Sequence, residues 1–86
     1  MELEIISPEK VIFTGEVKEV NLPGSAGRFS ILPHHAALIS SLGVGDIVYT
    51  TEDGEKRIGI DSGFAEVKED KVSVCIEKVI AFKWNQ

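Results

Sequence analysis

Apolar and polar residues alternate with period two through nearly the whole chain, and turn-forming residues interrupt that alternation every 6–12 positions or so. Such spacing predicts an all-β sandwich or barrel. Glu2 to Ile6 reads as a first strand ended by Ser7-Pro8-Glu9-Lys10, and Val11-Ile12-Phe13 as a short second one stopped by Thr14-Gly15. From Glu16 to Leu22 the period slips. Val17 and Val20 are three apart while Val20 and Leu22 are two apart, so one face cannot hold all three without an inserted residue. A β-bulge or a local twist near Lys18-Glu19 is the expected solution.

Pro23 to Gly27 reads as a turn, and Arg28 to Leu32 as a strand with Phe29 and Ile31 on one face. Pro33-His34 breaks it, Ala36 to Leu42 follows with Leu38 and Leu42 sharing a face, and Gly43-Val44-Gly45 turns again. Asp46 to Thr51 and Glu55 to Ile60 form a hairpin across Glu52-Asp53-Gly54, since Asp-Gly tolerates the backbone of a tight β-turn. Gly63 to Val67 and Lys71 to Ile76 form a last hairpin. Residues 77–86 carry both a helical spacing (Ile76, Val79, Ile80, Lys83) and an acceptable edge strand, and a strand is favoured.

Composition narrows the function classes. The chain has 86 residues, 43% of them apolar and 27% charged, which suits a single folded domain. At this size about 60% of the unfolded surface is buried, so stability is modest. The net charge of −5 and the scattered Lys and Arg argue against nucleic acid, which demands a clustered basic surface. Anionic membrane surfaces are disfavoured likewise. No apolar run approaches the ~20 residues that span a bilayer, so no direct membrane insertion is expected. Met1 leads straight into a strand with no signal or transit segment, which places the expected site of action in the cytosol or on the side of synthesis. Cys75 is the single cysteine, so no internal disulfide forms. Within Val72-Ser73-Val74-Cys75-Ile76 it reads as a small half-buried hydrophobe.

Three patterns would carry chemistry in such a chain. No serine sits in a G-x-S-x-G elbow. His34 and His35 are adjacent, and in extended chain adjacent side chains point to opposite faces, so they make a poor chelate. The glycines of Leu22-Pro23-Gly24-Ser25-Ala26-Gly27-Arg28 lie between strands, with no helix to supply the amides of a phosphate loop. No catalytic, cofactor or metal site is implied. The expected function is docking, on loops held at fixed positions by a stiff body. Phe29, which alternates with Ile31, reads as core; Trp84 near the terminus suits either a strand edge or a partner.

The ordered fragments Leu3-Glu4-Ile5-Ile6-Ser7-Pro8-Glu9, Phe13-Thr14-Gly15-Glu16-Val17, Leu22-Pro23-Gly24-Ser25-x-Gly27, Ile31-Leu32-Pro33-x-His35-Ala36, Ser62 to Val67 and Val72-Ser73-Val74 resemble the epsilon subunit of F-type ATP synthases. The resemblance covers roughly residues 3–75. It implies a sandwich of about ten short, mainly antiparallel strands in the rotor's central stalk, non-catalytic and monomeric within the complex. Such a subunit couples rotation of the membrane c-ring to the gamma subunit during proton- or sodium-driven ATP synthesis. By position, Ser25, Ala26, Gly27, Arg28 and Phe29 correspond to the part that meets the c-ring, and Ser7, His35, Ala36, Leu38 and Ser40 to the gamma-facing surface. The place implied is peripheral, on the cytoplasmic face of a bacterial plasma membrane.

Departures from the family pattern carry their own expectations. Arg28 stands where many relatives carry an acidic or neutral residue, and Ala37 where proline is common. His34 replaces a common glycine, which would matter if that position requires positive φ. Longer relatives continue into two helices that in some of them inhibit hydrolysis and bind ATP. Since the chain stops at Gln86, the expectation is a subunit without them, either naturally short, which is favoured, or an excised N-terminal domain. The competing function is a stand-alone β-sandwich binding module that shares only the fold, for which a deep apolar pocket would speak.

Overall fold

In a computed structural model, residues 1–84 are described, with side chains described as far as Phe82; the side chain of Trp84, flagged above, lies outside the described residues. Ten strands follow one another: β1 Glu2–Ile6, β2 Val11–Glu16, β3 Glu19–Gly24, β4 Gly27–Ile31, β5 Leu38–Leu42, β6 Gly45–Thr51, β7 Gly54–Ile60, β8 Gly63–Lys68, β9 Lys71–Ile76 and β10 Val79–Trp84. The last settles residues 79–84 as strand. The ten curl into one continuous sheet that folds into two layers, β10-β7-β6-β3-β4 and β5-β8-β9-β1-β2. Pairing is antiparallel except between β1 and β9, which run parallel with Leu3 opposite Val72.

Period two fills the space between the layers. Leu3 and Ile5, Val20 and Leu22, Ile47 and Tyr49, Ile58 and Ile60, Ala65 and Val67, and Val72, Val74 and Ile76 all point inward and are buried. Twelve of the core residues are less than 2% exposed, and no polar or charged residue among those described is buried. The core is therefore dry, and its stabilisation comes from aliphatic burial at about 25 cal/mol per Å².

Three expectations change. Thr14-Gly15 does not stop β2, which runs on to Glu16. Gly15 serves packing there: the Phe13 ring lies 3.2 Å from where a Cβ would stand, and that ring meets Tyr49 at 4.5 Å between centroids. The slip at Val17–Val20 is real but is not a bulge within a strand. The Val17 amide donates to the Met1 carbonyl at 2.9 Å and the Lys18 amide to the Thr50 carbonyl at 2.8 Å, so consecutive amides bond to different layers and the chain changes layer there. Cys75 is exposed rather than half-buried, because on β9 it alternates with buried Val74 and Ile76.

A second change of layer occurs at Gly43-Val44. Gly24 of β3 pairs antiparallel with Leu42, and β6 also runs antiparallel to β3, so β5 bends into β6 without reversing. At the opposite side, the segment between β4 and β5 turns at His34, whose φ is 66°. The position does require the left-handed region, the condition raised by its replacement of a common glycine.

Candidate functional site

The β3–β4 hairpin carries five of the sequence-flagged residues. Its turn is tighter than Pro23 to Gly27 suggested. Strand pairing continues to Gly24 opposite Gly27, leaving Ser25 and Ala26 as the turn, with Gly27 at φ 135°. Ser25 to Arg28 are exposed, whereas Phe29 turns inward opposite Leu22 and packs against the core. Arg28 does not project from the tip. Its Nε donates to Asn21 Oδ1 at 2.7 Å and its Nη2 to the Asp46 carbonyl at 2.7 Å, laying the side chain across β3 onto β6.

Around that guanidinium the outer face of the first layer is a polar groove of about 540 Å³, lined among others by Glu19, Asn21, Arg28, Asp46 and Arg57. Arg57 approaches Asp46 at 3.8 Å and Glu55 at 3.3 Å. The groove is open and lined by polar side chains, with Arg57 paired to Asp46 and Glu55 and Arg28 bound to Asn21 and the Asp46 carbonyl, unlike the deep apolar pocket a ligand-binding module would use.

The second set, Ser7, His35, Ala36, Leu38 and Ser40, lies along the other layer without forming a cluster. Ser7 caps the β1–β2 turn, accepting from the amides of Glu9 and Lys10 at 3.3 Å each. His35 and Ala36 are exposed at the far end of the same layer, and His35 Nδ1 donates to the Ala36 carbonyl at 2.7 Å. Leu38 is half-buried against the core, as the inward parity of β5 dictates, and Ser40 is half-buried with its hydroxyl donating to the Ser41 carbonyl at 3.0 Å. The outward side chains of this strand are Ile39, 75% exposed, and Ser41. The Ser41 hydroxyl donates to that of Ser25 at 2.9 Å, so the β3–β4 turn touches β5 one residue beyond Ser40, at the layer corner.

Register shows what the sequence reading missed. Across the outer face of β2-β1-β9-β8-β5, Val11 pairs with Ile6, Ile6 with Cys75, Cys75 with Phe64 and Phe64 with Ser41. That row is apolar up to its last member, and Phe64 is 63% and Val11 57% exposed. The next outward row, Glu4, Ser73, Glu66 and Ile39, is mixed, and the one beyond, Glu2, Lys71 and Lys68, is charged. One end of the face is apolar and the other ionic. The signal was present: Phe64 has the parity of Glu66 and Lys68, opposite to buried Ala65 and Val67, and a large aromatic on the polar parity of a strand is unusual.

At the ionic end the β8–β9 turn holds the segment before β5. Glu69 and Asp70 have φ of 52° and 61°, a primed turn of the kind that suits hairpin twist. Asp70 Oδ1 accepts from the His34 amide at 2.8 Å. That hydrogen bond, helped by the positive charges of the Met1 amino group and His34, holds the Asp70 carboxyl below the usual carboxylate value. Among the described residues no three His, Cys, Asp or Glu side chains gather as metal ligands would, and no helix is long and apolar enough to cross a membrane.

Residues 1–82 match the family described as the β-sandwich domain of the ATP synthase delta/epsilon chain. The ATP synthase epsilon chain of Sulfurovum sp. is 45% identical over 82 residues, covering 94% of this chain and 64% of its own length. That of Campylobacter jejuni is 49% identical over 75 residues, 86% of this chain and 58% of its own. This chain thus spans under two thirds of either relative. In fold it is similar to a chain of the Euglena gracilis mitochondrial ATP synthase, in a structure of OSCP, F1 and c-ring, with a TM-score of 0.83 at 21% identity over 91% of this chain and 51% of that one. A chain of the Tetrahymena thermophila mitochondrial enzyme, in a structure of central stalk and c-ring, gives 0.78 at 10% identity over 92% and 64%.

Proposed function

The chain belongs to the ATP synthase delta/epsilon family, as its β-sandwich domain, and from that membership we propose that it is a non-catalytic part of the rotor. It couples rotation of a membrane c-ring to a gamma-type subunit, at the cytoplasmic face of a bacterial plasma membrane. The β3–β4 turn meets the ring, and the outer face of β2-β1-β9-β8-β5 meets the gamma-type partner. The chain contributes a rigid connection and no chemical step.

The observation that carries this reading is the outward row Val11, Ile6, Cys75 and Phe64, at one end of a face whose next row is mixed and whose far end is charged. An isolated exposed hydrophobe is ordinary, but an aligned apolar row flanked by polar residues has the character of a protein contact. The dry core supports the mechanical side. Close-packed aliphatic interiors have low compressibility, so force entering at one loop leaves at another with little deformation.

Titration of the purified cognate gamma subunit by calorimetry tests the proposal. Binding is expected at micromolar concentration or tighter. Phe64→Asp should weaken it by about tenfold or more, the loss expected when an aromatic anchor is replaced by a charge that must be desolvated. Since Phe64 is exposed, its thermal unfolding should stay within a few degrees of the parent. Absent binding, or unchanged binding by Phe64→Asp, sinks the assignment of this face.

A further inference from the structure

Beside the β3–β4 turn stands the layer corner Gly43-Val44. Val44 is 78% exposed, above every other exposed large hydrophobic residue described. The corner and the turn are tied together on both sides of the Gly24–Leu42 pair. The Ser25 amide donates to the Ser41 carbonyl at 3.0 Å, and the Gly43 amide to the Pro23 carbonyl at 2.9 Å. The Ser41–Ser25 hydroxyl bond at 2.9 Å adds a third tie. Gly45 passes so close to the turn that an added Cβ would stand 2.7 Å from Pro23 Cβ. Four such constraints over so few residues make the two bends one body.

That body is uncharged in a chain of net charge −5: Ser25, Ala26, Gly27, Gly43 and Val44 carry no ionisable group. The neighbouring cation is tethered: Arg28 Nε and Nη2 are committed to Asn21 and to the Asp46 carbonyl on the outer face of the layer, while Nη1 lies beside Gly45. A neutral surface of small residues admits close backbone approach without desolvating a charge, and a single aliphatic side chain within it supplies an apolar anchor.

Resting on the reading of the β3–β4 turn as ring-facing, we propose that Val44 contacts the same partner, the rotor ring. The ring then meets a two-bend surface, and Arg28 acts as a positioning residue that braces it rather than as an ion-pair partner. Asn21 and the Asp46 carbonyl hold the guanidinium so that β4, β3 and β6, and with them both bends, keep a fixed relation.

A photo-crosslinking amino acid placed separately at Ala26 and at Val44, in the assembled synthase, distinguishes the layers of this argument. Crosslinks from both positions to the ring subunit are expected. Crosslinking from Ala26 alone, or from Val44 to a different subunit, overturns the two-bend surface and leaves the ring-facing turn standing. Absence of ring crosslinks at both positions overturns the ring-facing reading itself. For Arg28, the yield at both positions should fall several-fold in Arg28→Gln and equally in Arg28→Lys, because an ammonium cannot span both acceptors. Full yield in Arg28→Lys, the result an ion pair demands, overturns the bracing role.

Discussion

Asp70 shows how one side chain joins distant parts of this chain. Its carboxylate accepts the His34 amide from 36 residues away and lies 3.6 Å from the Met1 amino group. It does so from a left-handed backbone, which Asp and Asn tolerate better than other residues. Its lowered pKa means that folding favours the ionised form. The stabilisation is fully present above the ordinary value of 3.8 and is lost as pH falls through the lower folded-state value. Asp70→Asn keeps both the backbone preference and an acceptor for His34 while removing the charge. Its melting temperature should lie a few degrees below the parent at pH 7, with the gap closing below pH 3.8. A gap independent of pH across that window would show that the charge contributes nothing. At this scale the conditional expectation for His34 held, because a common glycine at a position is a statement about φ. The partners of Arg28 were not legible, since Asn21 and Asp46 lie on strands whose neighbours no local pattern specifies.

Among the elements, the glycines separate by what stands next to them. At Gly63, where β8 begins, an added Cβ would collide with the Cys75 carbonyl oxygen of β9. That is backbone against backbone, so relief requires moving a strand. Gly63→Ala should cost about 2–3 kcal/mol, in the range of overpacked cores, and lower the melting temperature by about 10–20 °C for a domain of this size. Gly43→Ala is the control: nothing lies within 4 Å of its would-be Cβ, and its φ is not in the left-handed region. It should change stability by about 0.5 kcal/mol or less. Thermal unfolding followed by circular dichroism separates the two, and equal losses would refute the steric account. The same distinction explains the misplaced end of β2. Thr14-Gly15 has the composition of a turn, yet Gly15 sits in mid-strand because a ring needs its space, and composition does not tell these apart.

Across the whole molecule, both layers share one core. Ile47 of the first layer and Val74 of the second belong to the same buried cluster. Ile47→Ala should therefore destabilise by about 2–5 kcal/mol, and both layers should unfold together. Far-ultraviolet dichroism and the near-ultraviolet signal of Tyr49, buried against Phe13, should give superimposable melts. Melts that separate would mean the layers are independent units. The all-β class, the strand positions and the inward residues were legible because period two is a local consequence of the pleat. The family was legible too, since ordered fragments such as Ile31-Leu32-Pro33-x-His35-Ala36 survive in a single chain. The proposed contact face was not. The pairing of Phe64 with Cys75 and of Cys75 with Ile6 aligns residues up to 69 positions apart, and Leu38 and Ser40, expected to face a partner, have the inward parity of β5 while Ile39 faces out.

Alternation along the chain thus settled which residues face in and which face out, because each side chain's direction follows from its own backbone. Which outward residues become neighbours depended on strand register and on the two changes of layer, at Val17-Lys18 and Gly43-Val44. Those arise from hydrogen bonds between segments far apart in the chain, whose partners are chosen only when the whole sheet closes.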